Sequence, residues 1–228
     1  MGTMRPTRRD AEAVLRREGW LSLQPKPFQD DVLARCRLLF FAANEPIYRV
    51  GDPPGGLYGL VSGNALVQSS PPYSSLQMIK VGTPGMWTGE GAFLTRQPRR
   101  IELRAREATW VMHLPLEQMD RMVAADPMVL RAFCLLLVGT LDVLLQMVSG
   151  LQMNDPFRRI AAAIDRSLPR SETELTVSQT DLAEMSRTTR KQVGPALKLL
   201  ADARIVDPSY RKLRILDRER LRRFAWDE

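Results

Sequence analysis

The stretch VSQTDLAEMSRTTRKQVGPALKLLADARIV, residues 177–206, contains two short helical patterns separated by a tight turn. Ser178 and Asp181 form an S-x-x-D capping box, which marks the start of the first helix. The turn falls at residues 186–188, and a second helix is predicted over residues 189–203. Two helices joined by so short a turn are the frame of a helix-turn-helix motif.

Two β patterns follow the second helix. Residues 205–207 and 213–216 are apolar-rich, and the turn between them, residues 208–212, carries basic side chains. A strand, a turn and a second strand at this place are typical of a wing. We therefore predict a C-terminal winged helix-turn-helix domain over residues 155–228, preceded by a break at Asn154-Asp155-Pro156.

The net charge of +7 is concentrated in this part of the chain, because residues 156–228 carry 16 basic and 11 acidic side chains. The excess favours a polyanionic partner, and the second helix of such a motif can enter the major groove of DNA. Arginine and glutamine match the edges of guanine and adenine, which predicts base reading by Thr189, Arg190 and Gln192. Phosphate contacts are expected of Thr188, Lys191, Tyr210, Arg211 and Lys212. The alternative is two packed helices with a solvated charged face.

Upstream, residues 28–126 alternate short β-rich pieces such as PIYRV and LQMIKVG with the turn signals GDPPGG and GTPG. This alternation favours an antiparallel β-roll, and the predicted fold class is therefore α+β. Residues 1–27 are polar and arginine-rich and close with Gln24-Pro25-Lys26-Pro27. They are predicted to form an N-terminal arm with a short helix near residues 11–17.

Leucine recurs every seven residues along a long helix predicted over residues 127–154. This spacing defines the a and d positions of a seam, the pattern that packs a helix against a partner helix. The predicted dimer seam consists of Leu130, Cys134, Leu137, Leu141, Leu144, Val148 and Leu151. Further apolar residues (Phe133, Val138, Leu145) widen the stripe, so a helix buried within its own domain is the alternative.

Several function classes find no support in the sequence. No uninterrupted apolar run reaches the roughly 18 residues of a membrane span, and the N-terminus does not resemble a secretory signal. Cys36 and Cys134 match no metal spacing, and the single histidine, His113, has no catalytic partner in view. We expect a cytoplasmic protein that is not an enzyme, has no metal or cofactor and does not bind membranes.

A second stretch with chemical character is TGEGAFLTRQPRR, residues 88–100. Its glycines open the backbone, and a carboxylate stands close to clustered guanidinium groups. This combination suits a cradle for a phosphorylated small molecule.

In this order the three parts of the chain resemble the Crp/Fnr family of bacterial transcription regulators, over about residues 28–224. The resemblance is carried by IYRVGDPPGGLYGLVSGNALV (47–67), TGEGAFLTRQPRRIELRA (88–105) and the stretch 177–206. It implies homodimers that bind two-fold symmetric double-stranded DNA, with RNA polymerase as a further candidate partner. It also implies an effector bound against the long helix.

The resemblance assigns an effector pocket. Gly89 and Glu90 match the glycine and the ribose-binding glutamate of the nucleotide site, and Arg99 matches the arginine that holds the cyclic phosphate. Arg100 stands where a small hydroxyl residue is usual. Its longer side chain would add a second cation but needs room that the usual pocket does not supply.

Leu144 and Leu145 occupy the long-helix positions where cyclic-AMP-responsive relatives place hydroxyl residues against adenine. Leucine leaves the polar edge of adenine unpaired, which costs about 1–3 kcal/mol for each buried group. We therefore predict a degenerate pocket that does not bind cyclic AMP and whose effector is unknown or absent.

The function predicted is that of a homodimeric, sequence-specific DNA-binding regulator. The rival prediction is a cyclic-nucleotide-binding regulatory module that acts on a partner protein. Such a module would not need the winged helix-turn-helix domain of residues 155–228, which we call the reader. Two features of the reader are atypical. Arg187 stands in the turn where glycine is usual, and Pro195 lies inside the second helix, where it removes a hydrogen bond.

Overall fold

The computed structural model describes residues 5–69, 76–168, 173–209 and 212–227. They belong to two compact units, residues 1–140 and 141–228. The division falls inside the long helix. The sequence had suggested domain boundaries at the two ends of that helix instead.

The first unit is built on two antiparallel sheets. Its elements are, in chain order, α1 (Arg8–Arg17), α2 (Gly19–Ser22), α3 (Lys26–Arg35), β1 (Arg37–Phe41), β2 (Pro46–Tyr48), β3 (Leu57–Ser62), β4 (Ala65–Ser69), β5 (Gln77–Gly82), β6 (Trp87–Thr88), α4 (Glu90–Thr95), β7 (Ile101–Ala105), β8 (Thr109–Leu114), α5 (Leu116–Ala125) and the first half of α6 (Val129–Gln152). The strand orders are β1-β8-β3-β6 and β2-β7-β4-β5. The predicted antiparallel β-roll is confirmed.

The two faces of the first sheet bury two different cores, because successive side chains of a strand point to opposite faces. Val111 of β8 belongs to the cluster shared with the second sheet, which also contains Val67 and Leu103. The next residue, Met112, belongs to the cluster formed with the helices, which also contains Leu15 and Phe133. The roll is therefore filled from within and covered by helices from outside.

The N-terminal segment differs from the predicted arm. Helix α1 begins with a capping box between Thr7 and Asp10, and α1 and α2 bury apolar residues at Ala11, Leu15 and Leu21. The apolar positions of α1 are four residues apart, as one buried helix face requires. The surrounding arginines outnumber them, so composition alone suggested a solvated segment.

Trp20 ties this segment to the rest of the unit. Its ring centroid lies 5.7 Å from that of Trp87 and 6.0 Å from that of Phe133 in α6. Its indole nitrogen donates a hydrogen bond of 2.7 Å to the carbonyl of Ala132. The N-terminal helices are thus part of the core around the start of α6.

Helix α6 has 24 residues and carries two apolar stripes. One is buried in the first unit, where Phe133 and Leu136 are 0% and 6% exposed. The other coincides with the predicted seam, in which Cys134 is half-buried and the remaining members are 39–53% exposed. The alternative of a buried helix therefore describes the first stripe and not the seam.

Helix α6 is also long and apolar enough to cross a membrane, judged by length and composition only, with a mean hydropathy of 2.0 over its best 18-residue window. The sequence nevertheless contains no uninterrupted apolar run of this length, because Asp142 lies in the middle of α6; the mean hydropathy stays high across this single charge.

The second unit contains the predicted winged helix-turn-helix. After α6 come α7 (Pro156–Ser167), β9 (Glu174–Thr176), α8 (Gln179–Ser186), α9 (Arg190–Asp202), β10 (Val206–Ser209), β11 (Lys212–Ile215) and α10 (Arg218–Trp226). The strands form one antiparallel sheet in the order β10-β11-β9. Helix α10 had no sequence prediction, and it is tied to α7 by an ion pair of 3.1 Å between Arg222 and Asp165.

We expect Leu15→Ala to lower the free energy of unfolding by about 2–5 kcal/mol, because it opens a cavity in the core. Leu23→Ala is the matched control, since Leu23 is 64% exposed and its truncation should cost less than about 0.5 kcal/mol. Urea unfolding followed by tryptophan fluorescence measures both variants. Equal stabilities would mean that the N-terminal segment is the solvated arm that its composition suggested.

Candidate functional site

Arg99 is a buried residue of the first unit whose backbone is fixed by two hydrogen bonds. Its amide donates to the carbonyl of Asp52 at 2.8 Å, and its carbonyl accepts from the amide of Gly51, also at 2.8 Å. The side chain is 4% exposed. The guanidinium group donates to the carbonyl of Gly56 at 2.8 Å and to that of Gly89 at 3.2 Å.

Two aromatic rings complete the surroundings of this cation. The guanidinium carbon of Arg99 lies 4.4 Å from the ring centroid of Tyr48 and 5.6 Å from that of Tyr58. Ring faces stabilise cations, most strongly where water is excluded. No carboxylate of the described residues forms an ion pair with Arg99, and its Nε atom has no hydrogen-bond partner among them. The buried charge is therefore stabilised by carbonyl dipoles and ring faces.

Glu90 opens the short helix α4 beside this cation. The preceding Gly89 has φ +113°, and a Cβ atom there would lie 2.4 Å from the carbonyl oxygen of Gly56. Only glycine fits that position. Glu90 is 5% exposed, and its Oε1 accepts a hydrogen bond of 2.8 Å from the hydroxyl of Thr140 in α6. Its Oε2 is buried without a hydrogen-bond partner among the described residues.

Other titratable groups lie in the same interior. Burial lowers the pKa of Lys80 in β5, and the negative charge of Glu90 opposes this shift. Burial also raises the pKa of Tyr48, whose hydroxyl is 3.0 Å from that of Thr88. Arg99 and Glu90 thus belong to a buried polar site, and the half-buried Lys80 feels the charge of Glu90.

His113 lies next to this site and not within it. Its ring stacks on Tyr58 with centroids 4.4 Å apart, and its Nε2 donates to the carbonyl of Gly55 at 2.5 Å. Burial lowers the pKa of this imidazole, which favours the neutral form. Among the described residues no cluster of three or more His, Cys, Asp or Glu side chains could hold a metal ion.

The predicted pocket residues are brought together only in part. Arg99 contacts Gly89, and Glu90 follows Gly89 in the chain, whereas the side chain of Arg100 is exposed. Leu144 and Leu145 belong to the second unit, where both are exposed.

Two residues that contact the predicted pocket groups were not identified from the sequence, because they lie far from those groups along the chain. These are Thr140, which binds Glu90, and Tyr48, which stacks on Arg99. A hydroxyl residue in an otherwise apolar part of α6 was the one available signal for Thr140. Nothing in the linear pattern singled out Tyr48.

Helices α8 and α9 lie where the sequence predicts two helices joined by a tight turn, with bounds that differ by about one residue. The amide of Asp181 donates to Ser178 Oγ at 3.2 Å, and the amide of Ser178 donates to the Asp181 carboxylate at 2.6 Å, which completes the capping box of α8. Arg187 ends α8 with φ +50°, in the left-handed region that favours glycine. The turn thus accepts backbone strain at this arginine.

The first turn of α9 separates the predicted DNA contacts into two groups. Arg190 and Lys191 are exposed. Gln192 instead completes the cap of α9, because its Oε1 accepts from the amide of Thr189 at 2.9 Å and from its hydroxyl at 3.0 Å. The hydroxyl of Thr188 lies 2.8 Å from that of Ser186, within the turn.

Of the three wing residues predicted to contact phosphate, the structure describes one. Lys212 is exposed, with its Nζ 3.5 Å from the carboxylate of Glu174. Tyr210 and Arg211, also predicted to contact phosphate, lie outside the described residues.

Comparison with known proteins agrees with this division of the chain. Residues 38–126 match the cyclic nucleotide-binding domain, and residues 143–224 match the Crp-like helix-turn-helix domain. No curated protein sequence matches the chain.

Three solved structures illustrate the similarity. A proposed cAMP-binding regulatory protein from Silicibacter pomeroyi is 18% identical, with a TM-score of 0.70 over 96% of this chain and 100% of its own. FixK2 from Bradyrhizobium japonicum is 19% identical, with a TM-score of 0.72 over 85% of this chain and 98% of its own. TTHB099, a CRP-family transcriptional regulator from Thermus thermophilus, is 25% identical, with a TM-score of 0.60 over 82% of this chain and 96% of its own.

A roll that matches the nucleotide-binding domain and a following reader that matches the Crp-like domain occur here in one chain. The protein therefore belongs to the Crp/Fnr family of bacterial transcription regulators.

Proposed function

We propose that the protein is a homodimeric transcription regulator that reads a two-fold symmetric DNA site through α9 and does so without cyclic AMP. The observation that carries this proposal is the exposure of Arg190 and Lys191 at the start of α9, within a match to the Crp-like DNA-binding domain. Arginine can donate two hydrogen bonds to guanine in the major groove, and lysine can neutralise a phosphate.

A homodimer is supported by the exposed seam of α6. A row of apolar side chains at heptad spacing is unfavourable in water, and it fits a second helix of the same spacing. Two reading helices brought together by this seam must lie about 34 Å apart, one turn of DNA, to contact both half-sites. The same apolar surface would serve a membrane span, but Asp142 lies in its middle and Thr140 is bound to Glu90. We therefore assign α6 to dimerisation and the protein to the cytoplasm.

Independence from cyclic AMP is supported by the partners of Arg99 and Glu90. A cyclic phosphate at Arg99 would compete with the carbonyls of Gly56 and Gly89, and a ribose hydroxyl at Glu90 would compete with Thr140. Each bond to a charged group that is broken without replacement costs about 1.5–3 kcal/mol. The chain thus supplies partners of its own for the groups that a nucleotide would bind.

Other roles have less support. A module that acts only on a partner protein does not account for the Crp-like reader. An enzyme is disfavoured because the described residues contain no metal cluster and His113 donates to a backbone carbonyl. RNA polymerase is a candidate partner through the family resemblance alone.

The DNA-reading assignment predicts different effects at neighbouring residues. Arg190→Ala should lower the preference for an operator selected from random duplexes by about 1–3 kcal/mol per half-site. Lys191→Ala should weaken binding to the operator and to random duplexes alike, and it should reduce the salt slope by about 1 for each phosphate that is no longer neutralised. Fluorescence anisotropy over a range of salt concentrations separates the two effects. Unchanged operator preference in Arg190→Ala would contradict base reading by this residue.

The dimer assignment predicts that Leu137→Asp together with Leu141→Asp yields monomers, because charged groups would face one another across the seam. Gln146→Asp is the matched control, since this exposed residue lies on the side of α6 opposite the seam. Sedimentation velocity should find the control dimeric and the double variant monomeric, with circular dichroism reporting that both are folded. A double variant that stays dimeric would remove the seam from the interface.

The effector assignment predicts no heat of binding when cyclic AMP is titrated into the protein at micromolar concentration. Operator affinity should likewise be the same with and without cyclic AMP. Thr140→Val removes the hydroxyl that binds Glu90, so this variant should bind cyclic nucleotides at least as well as the native protein. Micromolar binding of cyclic AMP by the native protein would refute the assignment.

A further inference from the structure

Pro195 lies inside α9, where a proline is expected to weaken the helix. It is the sixth residue of α9, beyond the first turn in which proline is tolerated. Its missing amide would have bonded to the carbonyl of Lys191 four residues earlier. The reading helix therefore lacks one backbone hydrogen bond at its centre.

Gly194 makes this proline possible. The ring of a proline clashes with the Cβ atom of the preceding residue when that residue is helical, and glycine has no Cβ. No packing constraint demands glycine here, since a Cβ atom built at Gly194 would meet nothing within 4 Å. Gly194 thus serves Pro195, and the helix contains two helix-disfavouring residues in a row.

The fold gives no reason for Pro195. Its ring is exposed, whereas the core side of α9 is made by Val193, Ala196, Leu197 and Leu200. Residues that break a local rule without a compensating contact in the fold are most often functional. The proline must therefore be explained by something outside the folded chain.

The position of Pro195 in α9 indicates that the explanation is a contact with DNA bases. Pro195 lies one helical turn after Lys191 and about 7.5 Å along the helix from Arg190, at 1.5 Å per residue. Lys198 is exposed close by, so basic residues flank the ring on the same side of α9. Of the four bases, thymine alone presents a methyl group in the major groove, and apolar side chains recognise it by contact.

We propose that Pro195 is a specificity-determining residue that contacts the methyl group of a thymine about two base pairs from the base pair read by Arg190. This proposal rests on the proposed function and refines it. Gly194 carries no side chain that would hold α9 away from the bases, so the proline ring can approach them closely. The contact recognises one base without a hydrogen bond, which a residue lacking an amide proton can provide.

The test replaces single thymines of the selected operator by 2′-deoxyuridine, which removes the methyl group and nothing else. At one symmetric pair of positions the native protein should lose about fourfold in affinity per half-site. Pro195→Ser should bind the thymine and uracil operators equally, and Pro195→Val should restore the preference for thymine. Leu199→Ala, which truncates another exposed apolar residue of α9, is the control and should keep the native preference.

Thermal unfolding supplies a second readout. Both Pro195 variants should melt at higher temperature than the native protein, by about 5 °C, because each restores a helical amide. A lower melting temperature would mean that the proline stabilises the fold, and the proposal would be overturned. It would equally be overturned if Pro195→Ser kept the native thymine preference or if no thymine position were sensitive in the native protein. Failure to select any operator would instead refute the proposed function.

Discussion

Helix α6 carries more apolar surface than one copy of the chain covers. One stripe packs into the roll through Phe133 and Leu136, where it also meets Trp20 from the N-terminal segment. The second stripe remains exposed at heptad spacing. Exposed apolar surface costs about 25 cal/mol per Å², so a partner that covers it is strongly favoured. The homodimer proposed above would cover this second stripe with the same stripe of a second copy.

Most polar atoms of the buried Arg99 and Glu90 have hydrogen-bond partners within the chain. A buried guanidinium and a buried carboxylate are costly unless they are satisfied, and here carbonyls, rings and one hydroxyl provide most of what they need. The bond between Glu90 and Thr140 also joins the roll to the helix that carries the seam. The unpaired Oε2 of Glu90 and Nε of Arg99 are the remaining polar atoms of this pair without a hydrogen bond among the described residues.

The reader follows local rules except where it faces solvent at its turn and at the centre of α9. Its capping boxes are complete, and Gln192 is used for one of them. Arg187 and Pro195 violate backbone preferences, each at an exposed position. A fold selected for stability alone would have glycine at the first and a good helix former at the second. Local departures of this kind direct attention to the surface that contacts a ligand.

The sequence by itself determined the β-roll, the long helix and the winged reader, because each leaves a periodic or capping signal within a few neighbouring residues. The alternation in the strands, the heptads of α6 and the Ser178–Asp181 box are all of this kind. Contacts between residues far apart in the chain leave no local sequence pattern, so only the tertiary structure decided them. Arg99 finds its carbonyl partner 43 residues away at Gly56, and Glu90 finds its hydroxyl 50 residues away at Thr140. The N-terminal segment became part of the core for the same reason, since the partners that bury Trp20 and Leu15 come from distant elements and leave no trace in its arginine-rich composition.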